Sequence, residues 1–570
     1  MFMSIAAARD YLSFPHLEPE LRTELETLVK SAEGGDAAAS AELVDRFFEP
    51  LAFGTGGLRG IMGAGLRRMN QPNVRRATLA LAEVTKRRAP EGKIAIVGFD
   101  TRLQSDVYGR EAARVLAEAG YTVYLGDRPL PTPFLCFAMR QLKSACGVIV
   151  TASHNPKIYN GYKAYDDKGG QVVTPWDTEV EAAMSALPLV PPPPSPEGDA
   201  RILPFPREVE EAFIQMAVDS LAHPKVFTPA RVLFTPFHGT GIAFVPEIFK
   251  RAGLPLEICG PQAVQDGSFP TAPRPNPEEM AAFKVTIEEA EKLGVDAILA
   301  NDPDADRLGV VLKHEGQWIQ MTGNDMAGLT LDYLAREKGV KGAVVTTVVT
   351  SDFLAKVGAL HGIPTVWTLT GFKNIAVCMN RLEEVGETYA FGAEESIGMC
   401  LSSDLRDKDG VSAALLVAEL IGHYKAQGQN LVQAVAALQA KIGTFCNRLV
   451  NLEDPKPGGA QRFAAAMARI REAGLTVFAG EKVVSWEDFQ TCEWHRADGS
   501  VAPIQDRPER PDVALEMEKS NVLKFRLASG AFAAFRPSGT EPKLKVYLQS
   551  CTDTAMLDRM EAEARALLGL

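Results

Sequence analysis

Ala145-Cys146-Gly147-Val148-Ile149-Val150, followed at once by Thr151-Ala152-Ser153-His154-Asn155-Pro156, is the stretch whose reading decides the fold of this chain. Six apolar or small residues in a row suit a strand buried on both faces. The hexapeptide after it is built of small, turn-forming and polar residues. In an open α/β sheet such strand ends collect ligands and chemistry at the C-terminal edge. Ser153 is therefore a nucleophile candidate. A Ser153-His154 hydrolase dyad is rejected, because neighbours on an extended segment point in opposite directions and no G-x-S-x-G elbow occurs in the chain.

The same alternation continues outward from this strand. Lys93-Ile94-Ala95-Ile96-Val97 predicts a strand, 105–119 a helix and 121–125 the next strand. The pattern restarts at Arg231-Val232-Leu233-Phe234 and again at Gly342-Ala343-Val344-Val345. Three α/β domains with mixed, mainly parallel sheets are expected. Pro191-Pro192-Pro193-Pro194-Ser195-Pro196-Glu197-Gly198 reads as a stiff exposed connector. A helix predicted over 207–221 makes it a loop inside the first domain. Beyond about residue 441, strand-like runs such as Val522-Leu523-Lys524-Phe525-Arg526-Leu527 are joined by short turns. They predict a C-terminal antiparallel α+β domain, closed by a helix over 552–568. The expected domains are 1–225, 226–322, 323–440 and 441–570.

Three further strand-end loops carry chemistry. Asp302-Pro303-Asp304-Ala305-Asp306-Arg307 follows the apolar Ala297-Ile298-Leu299-Ala300. Its three carboxylates can converge on one hard cation. An EF-hand is ruled out, since Arg307 stands where that loop needs Gly and Lys313 where it needs Glu. A solvated acidic turn is the plain alternative; the position after a buried strand favours the cation. Gly392-Ala393-Glu394-Glu395-Ser396-Ile397-Gly398 offers carboxylates and a hydroxyl, suited to neighbouring sugar hydroxyls. Arg536-Pro537-Ser538-Gly539-Thr540-Glu541-Pro542 joins two strand-like runs and offers a guanidinium, hydroxyls and close N–H groups to an anion. Each could instead be an ordinary polar loop.

Taken together and in this order, these motifs resemble those of the α-D-phosphohexomutases, the family of phosphoglucomutase and phosphomannomutase. The likeness is greatest to the subgroup that includes phosphopentomutase-like members. It covers nearly the whole chain and implies a four-domain architecture with the active site in a central cleft. It implies that Ser153 is the phosphoserine and that Asp302, Asp304 and Asp306, with Ser153, hold one Mg²⁺. His154 would order the loop or meet phosphate oxygens. Glu394 and Ser396 would contact the sugar, although Ala393 replaces the usual Gly. Arg536, Ser538, Gly539 and Thr540 would bind the distal phosphate. Shorter matches add Arg59 in Gly54-Thr55-Gly56-Gly57-Leu58-Arg59-Gly60, Lys163 in Asn160-Gly161-Tyr162-Lys163, and Lys408 in Arg406-Asp407-Lys408-Asp409-Gly410 as catalytic groups. Arg102 in Gly98-Phe99-Asp100-Thr101-Arg102, Arg307, and Thr370, Gly371 and Lys373 in Thr370-Gly371-Phe372-Lys373 would contact substrate. A Lys crowded by Arg and Mg²⁺ would have a lowered pKa.

The implied reaction interconverts α-D-glucose 1-phosphate and glucose 6-phosphate through a phosphoserine enzyme and glucose 1,6-bisphosphate, which also serves as activator. Mannose and pentose phosphates are alternatives within the family. A metal-dependent sugar phosphatase and a non-catalytic sugar-phosphate binder are rivals from other classes. The binder should lack Ser153 or the Asp triplet, and both are present.

Composition narrows the partners. A net charge of −12 over 570 residues argues against nucleic acid or an anionic membrane. No run approaches the roughly 20 apolar residues of a membrane span, and the N-terminus lacks a basic region followed by an apolar core. Eight Cys without C-x-x-C or zinc spacing fit a reducing compartment. The expectation is a cytoplasmic monomer acting on a small-molecule sugar phosphate.

Overall fold

The computed structural model describes residues 2–54, 56–223, 230–454, 456, 458–506, 519–538 and 543–569. The chain divides into two compact units. One comprises Met1–Met321 with Gly398–Ala426, the other Thr322–Ile397 with Gln427–Leu570.

The first unit holds two sheets. In the six-stranded sheet the order is Gly57–Ile61, Tyr159–Tyr165, Cys146–Val150, Ile94–Phe99, Thr122–Leu125, Ile202–Leu203. The first three strands pair antiparallel and the rest parallel. Every residue of Cys146–Val150 is buried, as its unbroken apolar run requires of a strand covered on both faces. The five-stranded sheet runs Gln317–Gln320, Leu308–His314, Ala297–Asn301, Val232–Thr235, Glu257–Ile258. Its central strand, Ala297–Asn301, is likewise wholly buried. Both central strands deliver their chain to the same kind of place, a strand end followed by a polar loop.

Three helices precede the first sheet: Phe2–Leu12, Pro19–Glu33 and Ala37–Phe47. Leu25, Val29 and Leu43 form a core there with Ala64 and Val190. The fully buried Arg75 guanidinium ties this layer down. It donates to Glu18 and Glu111 and to the Pro191 carbonyl oxygen. The proline run is therefore anchored at its start, where Val190 and Pro191 are buried, and exposed at Pro192, Pro193, Pro196 and Glu197. It is a loop within this unit, because Ile202–Leu203 returns to pair with Thr122–Leu125.

The second unit holds a parallel sheet in which Ala343–Thr347 lies between Thr365–Thr368 and Tyr389–Glu394. It also holds an antiparallel sheet in the order Cys446–Glu453, Lys543–Ser550, Phe532–Pro537, Leu523–Leu527, Glu481–Asp488, Glu493–Arg496, Val501–Pro503. Helices Gly459–Ala473 and Thr554–Leu568 cover one face through Phe463, Met467, Ile470, Leu557 and Met560. The other face packs Phe532, Ala534 and Tyr547 against Val348, Val349 and Leu369. Beside that apolar contact, Arg526 Nη1 donates to Asp352 Oδ2 at 2.8 Å, and Lys524 Nζ donates to the Val348 carbonyl at 2.7 Å.

Burial alone would raise the Asp352 carboxyl, but Arg526 and Lys524 outweigh it and hold the group well below the usual range. A depressed carboxylate stabilises the fold above its unfolded pKa of about 3.9 and loses that contribution as pH falls towards the folded value. Arg526→Met is expected to destabilise this unit by about 2 kcal/mol at pH 7, by stranding a largely buried carboxylate. In denaturant titrations the difference from wild type should shrink once pH drops below about 4. A difference that persists unchanged at pH 3 would assign the loss to packing instead.

Among the described residues no helix is long and apolar enough to cross a membrane.

Candidate active site

Within the first unit, Thr151–Pro156 leaves the strand Cys146–Val150 and turns back into Tyr159–Tyr165. Ser153 sits in this loop at φ +49°, a left-handed conformation that a non-glycine residue keeps only when its surroundings impose it. The imposing groups are visible. Ser153 N donates to Thr151 Oγ1 at 2.8 Å, and Thr151 Oγ1 donates to Asp100 Oδ2 at 2.7 Å. The guanidinium of Arg102 donates to four carbonyl oxygens of the loop: Ser153 and Asn155 through Nη2, Pro156 at 3.1 Å and Tyr159 at 3.2 Å through Nη1. Its Nε lies 3.3 Å from Asp100 and both side chains are 0% exposed.

That arrangement corrects one expectation. Arg102 reads in the sequence as a substrate contact, yet both its Nη groups are spent on protein carbonyls, its Nε faces the Asp100 carboxylate, and none of the side chain reaches solvent. It builds the serine loop from inside.

The carboxylate triplet follows the strand Ala297–Asn301. Asp302, Asp304 and Asp306 are all buried, and one oxygen of each lies within 4.8 Å of the others. Ser153 Oγ donates to Asp302 Oδ2 at 2.7 Å. Thr132 N donates to the Asp304 carbonyl at 2.9 Å, and Thr132 Oγ1 meets Asp304 Oδ2 at 3.2 Å. Two glycines let other segments press against this loop. A Cβ at Gly239 would lie 2.4 Å from Pro303 Cα, and one at Gly410 would lie 2.4 Å from the Arg307 carbonyl oxygen. The second approach brings in the segment that carries Lys408.

Two ammonium groups reach the triplet. Lys163 Nζ is 3.0 Å from Asp304 Oδ2 and 3.4 Å from Asp306 Oδ2. Lys408 Nζ is 3.1 Å from Asp306 Oδ2 and 3.1 Å from Asp407 Oδ1. Arg307 lies at the edge, paired with Glu278 at 2.6 Å. Arg59 is exposed on the strand Gly57–Ile61, its Nη1 3.4 Å from Asn155 Oδ1. His154 Nδ1 is 3.1 Å from Ser153 Oγ: the left-handed backbone at Ser153 turns the two side chains towards each other, where an extended segment would have pointed them apart.

The electrostatics follow from burial and crowding. Burial, then the charges of Asp304 and Asp306, push the Asp302 carboxyl well above the ordinary range. Burial opposes ionisation of Asp304 too, but Lys163 overrides it and the carboxyl is lowered. Burial would lower Lys163, but Asp304 and Asp306 reverse this and hold the ammonium above its ordinary value. Burial and the positive charge of Arg307 keep the His154 imidazole neutral.

The triplet suits a divalent cation on an observation of its own. Oδ1 of Asp304 and Oδ1 of Asp306 are buried with no hydrogen-bond partner. A buried carboxylate oxygen without a donor is costly, and a hard cation with oxygen ligands would satisfy both.

Within the second unit, Glu394 ends the strand Tyr389–Glu394 and is 6% exposed. Ser396 is partly exposed beside it. Glu395 accepts from Thr347 and Thr350 at 3.2 Å each. Burial and the neighbouring Glu394 raise its carboxyl. Arg536 is next to last in the strand Phe532–Pro537, opposite Lys545, and hydrogen-bonds Tyr547, which also feels the charges of Glu395 and Glu394. The Glu394 loop and the Arg536 strand therefore share one neighbourhood. Ser538 is exposed at the strand end, its N donating to the Lys543 carbonyl at 2.8 Å. Gly539 and Thr540 lie outside the described residues. Gly371 caps the helix Phe372–Glu384 at φ +102°, with Thr370 accepting from Asn374 and Lys373 partly exposed in the first turn.

Sequence reasoning missed Asp100, Thr132, Tyr165, Asp407 and the Thr347/Thr350 pair. Asp100 and Asp407 stand inside motifs already quoted, which was the available signal. Thr132 reads as a helix start, and nothing in its neighbours marks a contact 172 positions away.

A serine hydroxyl against a buried carboxylate triplet, with ammonium and guanidinium groups at its rim, is an arrangement suited to phosphoryl transfer, which rests on positioning and charge neutralisation. Comparison with known proteins agrees. The four descriptions of the phosphoglucomutase/phosphomannomutase family, alpha/beta/alpha domains I, II and III and the C-terminal domain, match residues 50–189, 211–316, 322–441 and 494–567. A Staphylococcus epidermidis protein named phosphoglucomutase is 32% identical over 511 residues, covering 88% of this chain and 91% of its own. A Haemophilus influenzae protein named "Probable phosphomannomutase" is 32% identical over 503 residues, covering 87% and 96%. In fold, the Paramecium phosphoprotein pp63/parafusin, a phosphoglucomutase, superposes with a TM-score of 0.67 at 18% identity, covering 91% of this chain and 95% of that one. The chain belongs to the phosphoglucomutase/phosphomannomutase family, whose members are mutases of the isomerase class.

Proposed function

We propose that this enzyme is a phosphoglucomutase that interconverts α-D-glucose 1-phosphate and glucose 6-phosphate. The observation that carries the reading is the 2.7 Å hydrogen bond between Ser153 Oγ and Asp302 at the mouth of the carboxylate triplet. In the resting enzyme Ser153 carries a phosphoryl group. The free hydroxyl of a sugar monophosphate attacks that phosphorus, the P–O bond to Ser153 breaks, and glucose 1,6-bisphosphate results. The bisphosphate turns over, and Ser153 Oγ takes back the other phosphoryl group. Glucose 1,6-bisphosphate is thus both intermediate and activator.

Asp302, Asp304 and Asp306, with an oxygen on Ser153, would hold Mg²⁺, which supplies neutralisation of phosphoryl charge. The Lys408 ammonium gives a proton to the Ser153 oxygen as that oxygen leaves and recovers one from the attacking hydroxyl, and Lys163 and Arg59 balance charge around the phosphoryl oxygens. His154, neutral, steadies the serine loop. Arg307, Thr370, Gly371 and Lys373 contact the sugar phosphate. Glu394 and Ser396 read sugar hydroxyls, and Arg536 with the loop 538–540 holds the phosphate that is not being transferred. The proposed setting is a cytoplasmic monomer of four domains, consistent with eight free cysteines.

The test is a coupled isomerisation assay across glucose, mannose, glucosamine and ribose 1-phosphates. Glucose 1-phosphate is expected to give the highest kcat/KM. Arg536→Ala should weaken every sugar alike, by about tenfold or more in kcat/KM, because it reads the common group. Glu394→Gln should instead change the ranking. A higher kcat/KM for ribose or mannose 1-phosphate in wild type rejects the glucose assignment. Inorganic phosphate released as fast as product forms would turn the reading towards a phosphatase.

A further inference from the structure

Tyr165 and Asp407 have no place in the mechanism above, yet they lead directly to Lys408. Tyr165 ends the strand Tyr159–Tyr165, two residues beyond Lys163, so both side chains leave the same face of the sheet. Lys163 reaches the carboxylate triplet. Tyr165 is fully buried, and its hydroxyl donates to Asp407 Oδ2 at 3.0 Å. The other oxygen, Oδ1, accepts from Lys408 N at 2.8 Å and from Lys408 Nζ at 3.1 Å. The Lys408 ammonium is thus held between Asp407 on one side and Asp306 Oδ2, 3.1 Å away, on the other.

The two anchors are not equivalent. Asp306 belongs to the triplet that would ligate a cation, and a carboxylate whose charge is drawn towards a divalent ion holds an ammonium group less strongly. Asp407 has no such second duty. Its carboxylate plane is set at one end by the Lys408 backbone N–H and at the other by the tyrosine O–H. Without that O–H the carboxylate can turn about its Cβ–Cγ bond, and Nζ loses its fixed reference. Aromatic packing does not need the hydroxyl. Phenylalanine would fill the site as well.

We infer that Tyr165, acting through Asp407, is a positioning residue that fixes where the Lys408 ammonium stands relative to Asp306 and Ser153. The inference rests on the reading that Lys408 takes part in turnover. Its effect should fall on kcat, because a misplaced ammonium group harms the transition state more than ground-state binding.

A double-mutant cycle tests it, run with Mg²⁺ and glucose 1,6-bisphosphate on whichever sugar 1-phosphate is turned over fastest. Tyr165→Phe is expected to lower kcat about tenfold with KM changed less than about twofold, and to leave Tm within about 2 °C of wild type. In the Lys408→Ala background the same change should cost less than about twofold, since the group it positions is gone. Asp407→Asn, which keeps the volume and weakens both contacts, should behave as Tyr165→Phe does, and it carries the cycle if the phenylalanine variant does not fold. A tenfold loss that recurs undiminished in the Lys408→Ala background overturns the positioning role alone. So does a Tyr165→Phe enzyme with wild-type kcat. A Lys408→Ala enzyme with wild-type kcat overturns the role of Lys408 itself, and the present inference falls with it.

Discussion

Ser153→Ala is expected to abolish mutase turnover, by roughly four orders of magnitude or more in kcat, because it removes the hydroxyl that carries the phosphoryl between half-reactions. The fold should survive. The substitution removes one oxygen from a loop whose shape is set by the Arg102 donors, by Thr151 and by Asp100, all of which remain. Thermal unfolding should therefore stay close to wild type. Intact-protein mass spectrometry should find one phosphate on the wild-type chain after exposure to glucose 1,6-bisphosphate and none on the variant. A variant that keeps turning over, or that still acquires the phosphate, would remove Ser153 from the mechanism. Asp302 would then need another explanation for the hydroxyl at 2.7 Å.

Loss of the cation should cost nearly as much. Exhaustive chelation is expected to stop turnover, and Mg²⁺ to restore it. Asp304→Ala should lower kcat by about a thousandfold at ordinary Mg²⁺. A second readout does not depend on activity. A ligand that binds only the folded state stabilises it by about 2.7 kcal/mol at a hundredfold excess over Kd, so wild-type Tm should rise with Mg²⁺. The triplet explains why the rise should be large. Burial and mutual repulsion push Asp302 upwards, and two buried carboxylate oxygens lack donors. In Asp304→Ala both the strain and the ligand are reduced, and the Mg²⁺ response of Tm should largely disappear. Full activity under chelation, with no Mg²⁺ effect on Tm, would rule out the cation.

Much of this organisation is legible in the sequence because buried strands announce themselves. The run 145–150 becomes the strand Cys146–Val150, and Arg231-Val232-Leu233-Phe234 becomes Val232–Thr235. The expected helix 105–119 becomes Ser105–Glu118. Loops that follow such strands inherit their position, which is why Ser153 and the Asp triplet could be singled out together. The three N-terminal helices were not anticipated. Their apolar positions find partners at Ala64 and Val190, far along the chain, and the α/β alternation gives no hint of them. Arg102 shows a different limit. An arginine after a strand reads as an anion ligand, since sequence shows charge but not direction. Only the fold reveals four carbonyl oxygens converging on it. Tyr165 is hidden for the same reason, as its hydroxyl meets a carboxylate 242 positions away.

The buried Arg102 has one more implication. A loop pinned by an interior cation has a single shape whichever end of a bisphosphate is presented to it. The two half-reactions then share one rigid cradle, and the symmetry that the chemistry demands must come from the guest. The sugar has to turn over while its host's serine loop stands still.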